Sequence, residues 1–312
     1  TITLPDNTLK NQALSFSLPD LKQNPVYFLK SFSLSFPKKN LISPTNLKIY
    51  PGRATLLTGE NGSGKTTLMK LITTLLKPTD GKILYNGEDI YRLGAKYREL
   101  IGYMPQDLGY YANYSPVAFL KYIAALKGVP TGTAKTRITE LLEMLSLYDV
   151  RNKKLGKFSG GMLRRVGIAQ AMLNDPKILI LDEPTVGLDP KESLVFKNYI
   201  RTLSESKLII ISTHILSDVE SLANTIVMIK DHNILFDDTL NNICGSLTGK
   251  ISSATVAIND IEKFEGEHKI LSQRQNGNSV TYHFITKPEE SLQYPQAVPT
   301  LEDIFIYYYT VS

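Results

Sequence analysis

Gly59-Glu60-Asn61-Gly62-Ser63-Gly64-Lys65-Thr66 is the stretch on which the reading of this 312-residue chain turns. It fits the pattern G-x-x-x-x-G-K-[ST]. Upstream, residues 53–58 (RATLLT) read as a short apolar strand. Downstream, Leu68, Leu71, Ile72 and Leu75 recur at helical spacing, which predicts a helix over 65–76, stopped before Pro78. A chance match in a glycine-rich turn would not need that setting, whereas a phosphate cradle does. Glycines let successive backbone N–H groups turn inward onto phosphate oxygens, and the following helix adds the positive end of its dipole. In such a loop Lys65 reaches the β- and γ-phosphates and the Thr66 hydroxyl takes Mg2+. Asn61, Gly62, Ser63, Gly64, Lys65, Thr66 and Thr67 are the residues expected around a bound nucleotide.

Working outward, Ile178-Leu179-Ile180-Leu181-Asp182-Glu183-Pro184 is an apolar strand ending in two carboxylates. Asp182 suits a direct or indirect partner of Mg2+, and Glu183 suits a base that polarises an attacking water. The plainer reading is a charged pair closing a buried strand. Residues 208–212 (LIIIS) form a second continuous apolar run, the pattern of strands buried on both faces. Near the start, Phe28, Phe32, Leu34 and Phe36 share one parity and Ser31, Ser33 and Ser35 the other, which is strand periodicity. Residues 115–150 read as mostly helical. Strands alternating with helices predict a parallel α/β sheet. Phe158-Ser159-Gly160-Gly161-Met162 precedes another predicted helix. Ser159 alone would be an N-cap, but serine with two glycines at a helix start also makes a second anion site. Two phosphate-binding helix starts for one nucleotide point to a site shared across a dimer.

Together these motifs resemble the nucleotide-binding subunit of an ATP-binding-cassette (ABC) transporter, over residues 26–230 and in the family's order. Residues 59–66 resemble its Walker A motif and the strand ending at Glu183 its Walker B motif. Phe158-Ser159-Gly160-Gly161-Met162 is similar to the signature LSGGQ, with Phe158 replacing leucine and Met162 replacing glutamine. Met104-Pro105-Gln106 resembles the Q-loop, Gly187-Leu188-Asp189 the D-loop, and Ser212-Thr213-His214 the switch histidine. The resemblance implies an α/β P-loop NTPase of ABC type with a helical subdomain at about 107–165. It implies ATP and Mg2+ as cofactors, with Glu183, His214, Lys65 and Gln106 in catalysis and Thr66, Gln106 and Asp182 at the metal. It places Ser159, Gly160, Gly161 and Asp189 on a nucleotide shared with a second cassette, expected to be an identical copy. Phe36 falls where the family stacks an aromatic on adenine, with Phe32 as the fallback. A separate transmembrane permease subunit is the other implied partner, with this chain at the cytoplasmic face of the membrane. Thr300-Leu301-Glu302-Asp303-Ile304-Phe305 is similar to the tail of a branch that exports drugs, peptides or polysaccharides.

Composition bounds the alternatives. With 42% hydrophobic and 21% charged residues, the chain is neither disordered nor a long coiled coil. A single cysteine, Cys244, excludes a disulfide framework. No apolar run approaches the ~20 residues of a membrane helix, and the first residues lack the pattern of a signal peptide, so the expectation is a soluble chain. Three parts are expected: a polar extension over 1–24, the cassette over 25–230, and a small α+β accessory domain over 231–312. In the last, 255–258, 268–272 and 279–285 read as short strands and residues 300–309 as one helix, with Leu301, Ile304, Phe305 and Tyr308 on one face. That face could pack on its own strands, on the cassette or on a partner's tail. His232, His268 and His283 show no ligand spacing. Tyr110, Tyr111 and Tyr114 read equally as surface aromatics or as the lining of a docking groove. The competing function is a non-transport ABC ATPase acting on nucleic acid or the ribosome. The modest net charge of +5, the single cassette and the short span between Lys65 and Ser159 speak against it, so no nucleic acid is expected.

Overall fold

The computed structural model describes residues 27–36, 39–49, 54–216, 223–287 and 293–311. The chain opens with β1 (Tyr27–Phe36), β2 (Lys39–Ile49) and β3 (Ala54–Gly59), followed by α1 (Lys65–Ile72). Next come β4 (Asp80–Tyr85), β5 (Glu88–Asp89), the short helices α2 (Ile90–Leu93) and α3 (Ala95–Glu99), and β6 (Ile101–Met104). A helical stretch holds α4 (Pro116–Leu126), α5 (Thr131–Met144) and α6 (Gly160–Met172). It leads into β7 (Ile178–Asp182), α7 (Pro190–Ser204), β8 (Leu208–Ser212), β9 (Thr225–Lys230) and β10 (Asn233–Asp238). Last come α8 (Leu240–Gly245), β11 (Ile251–Ala257), α9 (Ile261–Glu267), β12 (Ile270–Asn276), β13 (Ser279–Ile285) and α10 (Leu301–Ile306).

Among the described residues the strands form three sheets. A six-stranded sheet runs β10-β9-β3-β8-β7-β6, parallel throughout except for the β10 edge. An antiparallel sheet runs β2-β1-β4-β5, and a three-stranded antiparallel sheet β11-β13-β12. Side chains alternate across a strand, so each continuous apolar run of the central sheet feeds two cores. Leu179, Leu181, Ile209, Ile211, Ile226 and Met228 pack on the side of α4, α5, α6 and α7. Ile178, Ile180, Leu208, Ile210, Val227 and Ile229 pack on the opposite side with α1, Ile83, Ile90 and Tyr97. This is why β7 and β8 read as unbroken hydrophobic stretches rather than alternating ones. The C-terminal ends of β3, β7 and β8 all point the same way, where open α/β sheets collect their ligands.

The elements differ from the sequence expectations in three places. α1 ends at Ile72, not at residue 76, because Thr74 takes a left-handed backbone (φ 63°) that stops the helix and leaves Leu75 exposed. The stretch 115–150 is mostly helical as expected, with one interruption at 127–130, where Val129 N–H bonds back to the Ala124 carbonyl and Pro130 precedes α5. The change of character placed at residue 231 falls inside a hairpin. Asp231 and His232 (φ 47° and 65°) form a two-residue turn that pairs β10 with β9, so the central sheet continues to Asp238. The tail is α10 followed by a wider π-type turn over Tyr307–Val311, not one helix. It packs on β12 and α8, and it also reaches β9, so two of the three packing options left open by the sequence are realised.

The seat of α6 is fixed by a close approach. A Cβ on Gly102 in β6 would run into the Ala171 carbonyl of α6 and the Pro176 ring. Gly102→Ala is therefore expected to force α6 off the sheet and cost about 1–3 kcal/mol of stability. Urea denaturation of the nucleotide-free protein measures it, and an unchanged midpoint would show that α6 has slack.

Candidate functional site

The site begins where β3 stops. Gly59 has φ 149°, and a Cβ there would overlap the Ile229 carbonyl of the neighbouring β9 and crowd Ser63 Oγ. Only glycine lets the chain leave the sheet so tightly. The loop then closes through Ser63 N–H to the Glu60 carbonyl at 3.1 Å and enters α1 at Lys65. Lys65 is buried, and its ammonium donates to the Gly59 carbonyl (2.7 Å) and the Glu60 carbonyl (2.9 Å). Burial pulls its pKa below the ordinary lysine value, partly offset by the carboxylates of Glu183, Asp182 and Glu60. Ser63 Oγ is buried without a protein hydrogen-bond partner. Asn61 and Gly62 are exposed at the loop tip, and Thr67 is half-buried on α1.

From Thr66 a chain of hydrogen bonds crosses the ends of the central strands. Thr66 Oγ1 donates to Asp182 Oδ1 at 3.4 Å, and Ser212 Oγ donates to the same oxygen. Glu183 N–H donates to both the carbonyl and the hydroxyl of Ser212, each at 3.1 Å. Glu183 Oε2 pairs with His214 Nδ1 at 2.9 Å. Glu183 has a left-handed backbone (φ 50°), a strained setting for a non-glycine residue. That turn sends two sequence-adjacent carboxylates to different partners: Asp182 towards Thr66, and Glu183 towards His214. His214 is half exposed, so the pair lies at the edge of the site.

The donor set fits a hard divalent cation. Asp182 is almost fully buried, yet its Oδ2 has no protein hydrogen-bond partner. A buried carboxylate oxygen beside the Thr66 hydroxyl is the kind of oxygen ligand Mg2+ takes. Thr66 and Asp182 are the residues placed to hold it.

A second cluster forms at the starts of α6 and α7. Ser159 caps α6, its Oγ accepting from Met162 N–H at 3.2 Å. Asp189 caps α7 in a reciprocal box with Glu192, whose carboxylate also receives Arg165 of α6 at 3.2 Å. A Cβ on Gly161 would overlap the Glu192 carboxylate, and Gly160 faces the Gly187 carbonyl. Ser159, Gly160, Gly161 and Asp189 thus belong to one unit. Among the described residues, none of its hydrogen bonds reaches Lys65, Thr66 or Asp182.

The chain matches the family model for ABC transporter over residues 42–186. It is 33% identical over 204 residues to the ABC transporter ATP-binding protein NatA of Bacillus subtilis (strain 168), spanning 65% of this chain and 83% of NatA. The chain belongs to the ABC transporter family. It is also 35% identical over 212 residues to the lantibiotic transport ATP-binding protein SrtF of Streptococcus pyogenes, covering 67% of this chain and 89% of that protein. A solved ATP-binding cassette, dimeric in a post-hydrolysis state with ADP and Pi, superposes with a TM-score of 0.62 at 25% identity. It covers 69% of this chain and 98% of that one. The cassette is accordingly an ATP-binding, ATP-hydrolysing subunit of a transporter.

Within this ABC cassette, Lys65, Thr66, Asp182, Glu183 and His214 come together as one site. Gln106 does not join them. It is exposed, and its carbonyl accepts from Arg164 of α6 at 2.5 Å, so the structure ties its backbone to α6 rather than its amide to Thr66 or Asp182. The side chains of Phe36 and Phe32 lie outside the described residues. Sequence reasoning missed Ser212, the joint between the two carboxylates, because a serine ending an apolar strand carries no spacing signal. It also missed Glu192, although Asp189-Pro190-Lys191-Glu192 has the capping-box spacing that marks it.

Lys65→Ala is expected to remove the one ammonium held over the loop and weaken ATP binding by about 10-fold or more. Nucleotide titration of the purified variant measures this, and wild-type affinity would sink the assignment of the loop.

Proposed function

We propose that two copies of this cassette close head-to-tail on ATP and power export through a separate membrane subunit. The hydrogen-bonded chain Thr66–Asp182–Ser212–Glu183–His214 carries the reading. It holds a metal-type carboxylate and a base-type carboxylate side by side with different partners. In this reading Gly62, Ser63, Gly64 and Thr67 line the phosphates and Lys65 leaves its two carbonyl partners for the β- and γ-phosphates. Thr66 and Asp182 would hold Mg2+, which would supply neutralisation of phosphate charge. Glu183 orients the water that attacks the γ-phosphorus in line, ADP leaves, and His214 holds Glu183 in place. Ser159, Gly160, Gly161 and Asp189 act on the partner's nucleotide, in keeping with their separation from Lys65. Release of phosphate removes the bridge between the copies.

The partner reading has support of two kinds. The membrane-spanning part of the transporter is assigned to a separate subunit, which would hold this chain at the cytoplasmic face; among the described residues no helix is long and apolar enough to cross a membrane. Tyr111 and Tyr114, a few residues beyond Gln106, form an exposed aromatic cluster with Tyr122 of α4, with ring centroids 5.0–6.4 Å apart. Aromatics of this kind suit a docking surface, which favours the groove reading of these tyrosines. Export is supported by the tail at 300–305 and by the likeness to SrtF, named for lantibiotic transport. The unit that follows Asp238 is assigned as an accessory domain of the cassette.

Glu183→Gln is expected to keep ATP affinity and lose turnover by about 100-fold or more, because an amide cannot take the water's proton. The variant should accumulate as an ATP-bound dimer in sedimentation. Monomer alone at saturating ATP and Mg2+ would refute closure by the cassettes themselves. Ser159→Arg should abolish hydrolysis yet leave ATP binding to the monomer near wild type. Loss of monomer binding would contradict a shared site.

A further inference from the structure

The tail ends against the loop that opens the nucleotide site. Its root is held in the small domain by Asp303, fully buried at the first turn of α10. Asp303 accepts from Ser272 Oγ of β12 (2.6 Å), from His283 Nδ1 of β13 (2.9 Å), and from the backbone N–H and hydroxyl of Thr300 (2.9 Å each). Burial pushes this carboxyl up, but those bonds outweigh it and hold it below the usual range. Beyond α10, Lys230 Nζ donates to the Tyr308 carbonyl at 2.6 Å, and the Tyr308 ring meets Phe236 of β10 edge-on. Tyr309 stacks on Phe305 at 4.2 Å, and its hydroxyl donates to the Ile229 carbonyl at 2.8 Å. That carbonyl is the atom against which Gly59 turns out of the sheet, and Ile229 is the β-sheet partner of Gly59. Burial and the facing carboxylates of Glu60 and Asp231 push the phenol up, so it stays a donor across physiological pH.

We propose that Tyr309 is a positioning residue for the phosphate loop, fixing the Ile229 carbonyl that shapes the Gly59 turn and so making ATP affinity depend on the docked tail. The proposal rests on the reading that residues 59–66 hold the phosphates. An unbroken line of contacts links the β12–β13 sheet through Asp303, α10 and Tyr309 to Gly59. Whatever displaces the accessory domain displaces a support of the loop. A tail that only added stability would act on the fold as a whole and not on this carbonyl.

Tyr309→Phe keeps the ring stack and deletes only the hydroxyl. At saturating ATP the full-length variant is expected to turn over at the wild-type rate, with KM and Kd for ATP raised roughly threefold to tenfold, the scale of one lost hydrogen bond. Tyr282→Phe is the matched control, because Tyr282 OH donates to Glu265 at 2.8 Å inside the small domain, away from the loop. It should leave KM unchanged. Hydrogen exchange without nucleotide should quicken at residues 59–64 in Tyr309→Phe alone. If Tyr309→Phe binds ATP as wild type does, or if Tyr282→Phe shifts KM equally, the proposal is overturned. Lys65→Ala, run in parallel, separates the two readings. Wild-type affinity there removes the loop assignment, whereas its loss beside an unaffected Tyr309→Phe removes only the tail's role.

Discussion

Asp182 is a carboxylate almost sealed inside the protein with one oxygen left without a protein partner. Leaving a buried charged acceptor unsatisfied costs on the order of 1–3 kcal/mol or more, so a fold keeps such a group only where the surroundings force it. Here they do. β7 and β8 are paired residue for residue up to Asp182 and Ser212, which sets the Ser212 hydroxyl on Oδ1. α1 brings Thr66 to the same oxygen. Both partners take one oxygen of the carboxylate and leave the other without one. The site's chemistry follows from that one-sided grip.

The grip depends in turn on two cores that hold the strand ends in register. Alternate residues of the same strands enter opposite cores, so neither face can slip without disturbing the other. The core on the α6 side also takes in Ile243, Leu247, Ile251, Leu301 and Ile304. The unit after Asp238 therefore extends the hydrophobic interior of the cassette and does not simply hang from it. Among the described residues, the buried Phe264, Val280, Tyr282 and Phe284 form a separate cluster of their own under α9.

What could be read in the sequence was what is written locally. The loop at 59–66 and the runs at 178–182 and 208–212 announce themselves because turn chemistry and two-sided burial leave strong composition signals. The β9–β10 hairpin was missed because its turn is Asp231-His232, without the glycine that usually marks such a connection. The end of α1 was missed because an apolar Leu75 kept the helical spacing while Thr74 had already left the helix. Gln106 follows the motif spacing, but its backbone bond to Arg164 is a tertiary fact with no local trace. Tyr309 and Ile229, eighty positions apart, meet only because the tail returns across the sheet.

The clamp at Glu192 has a further consequence. One carboxylate closes the start of α7, receives Arg165 of α6, and fills the space beside Gly161. The two helix starts are thereby tied together, and α7 follows on the short connection from Glu183. A displacement at the start of α6 would therefore act on Glu192 and, through the start of α7, on the segment that follows Glu183. In the proposed pair of cassettes, linkage would make any such coupling two-way: what the occupancy of one pocket did to these helix starts, they would return in equal free energy to the other. In a symmetric pair, each nucleotide would then sense its counterpart without any contact between the two.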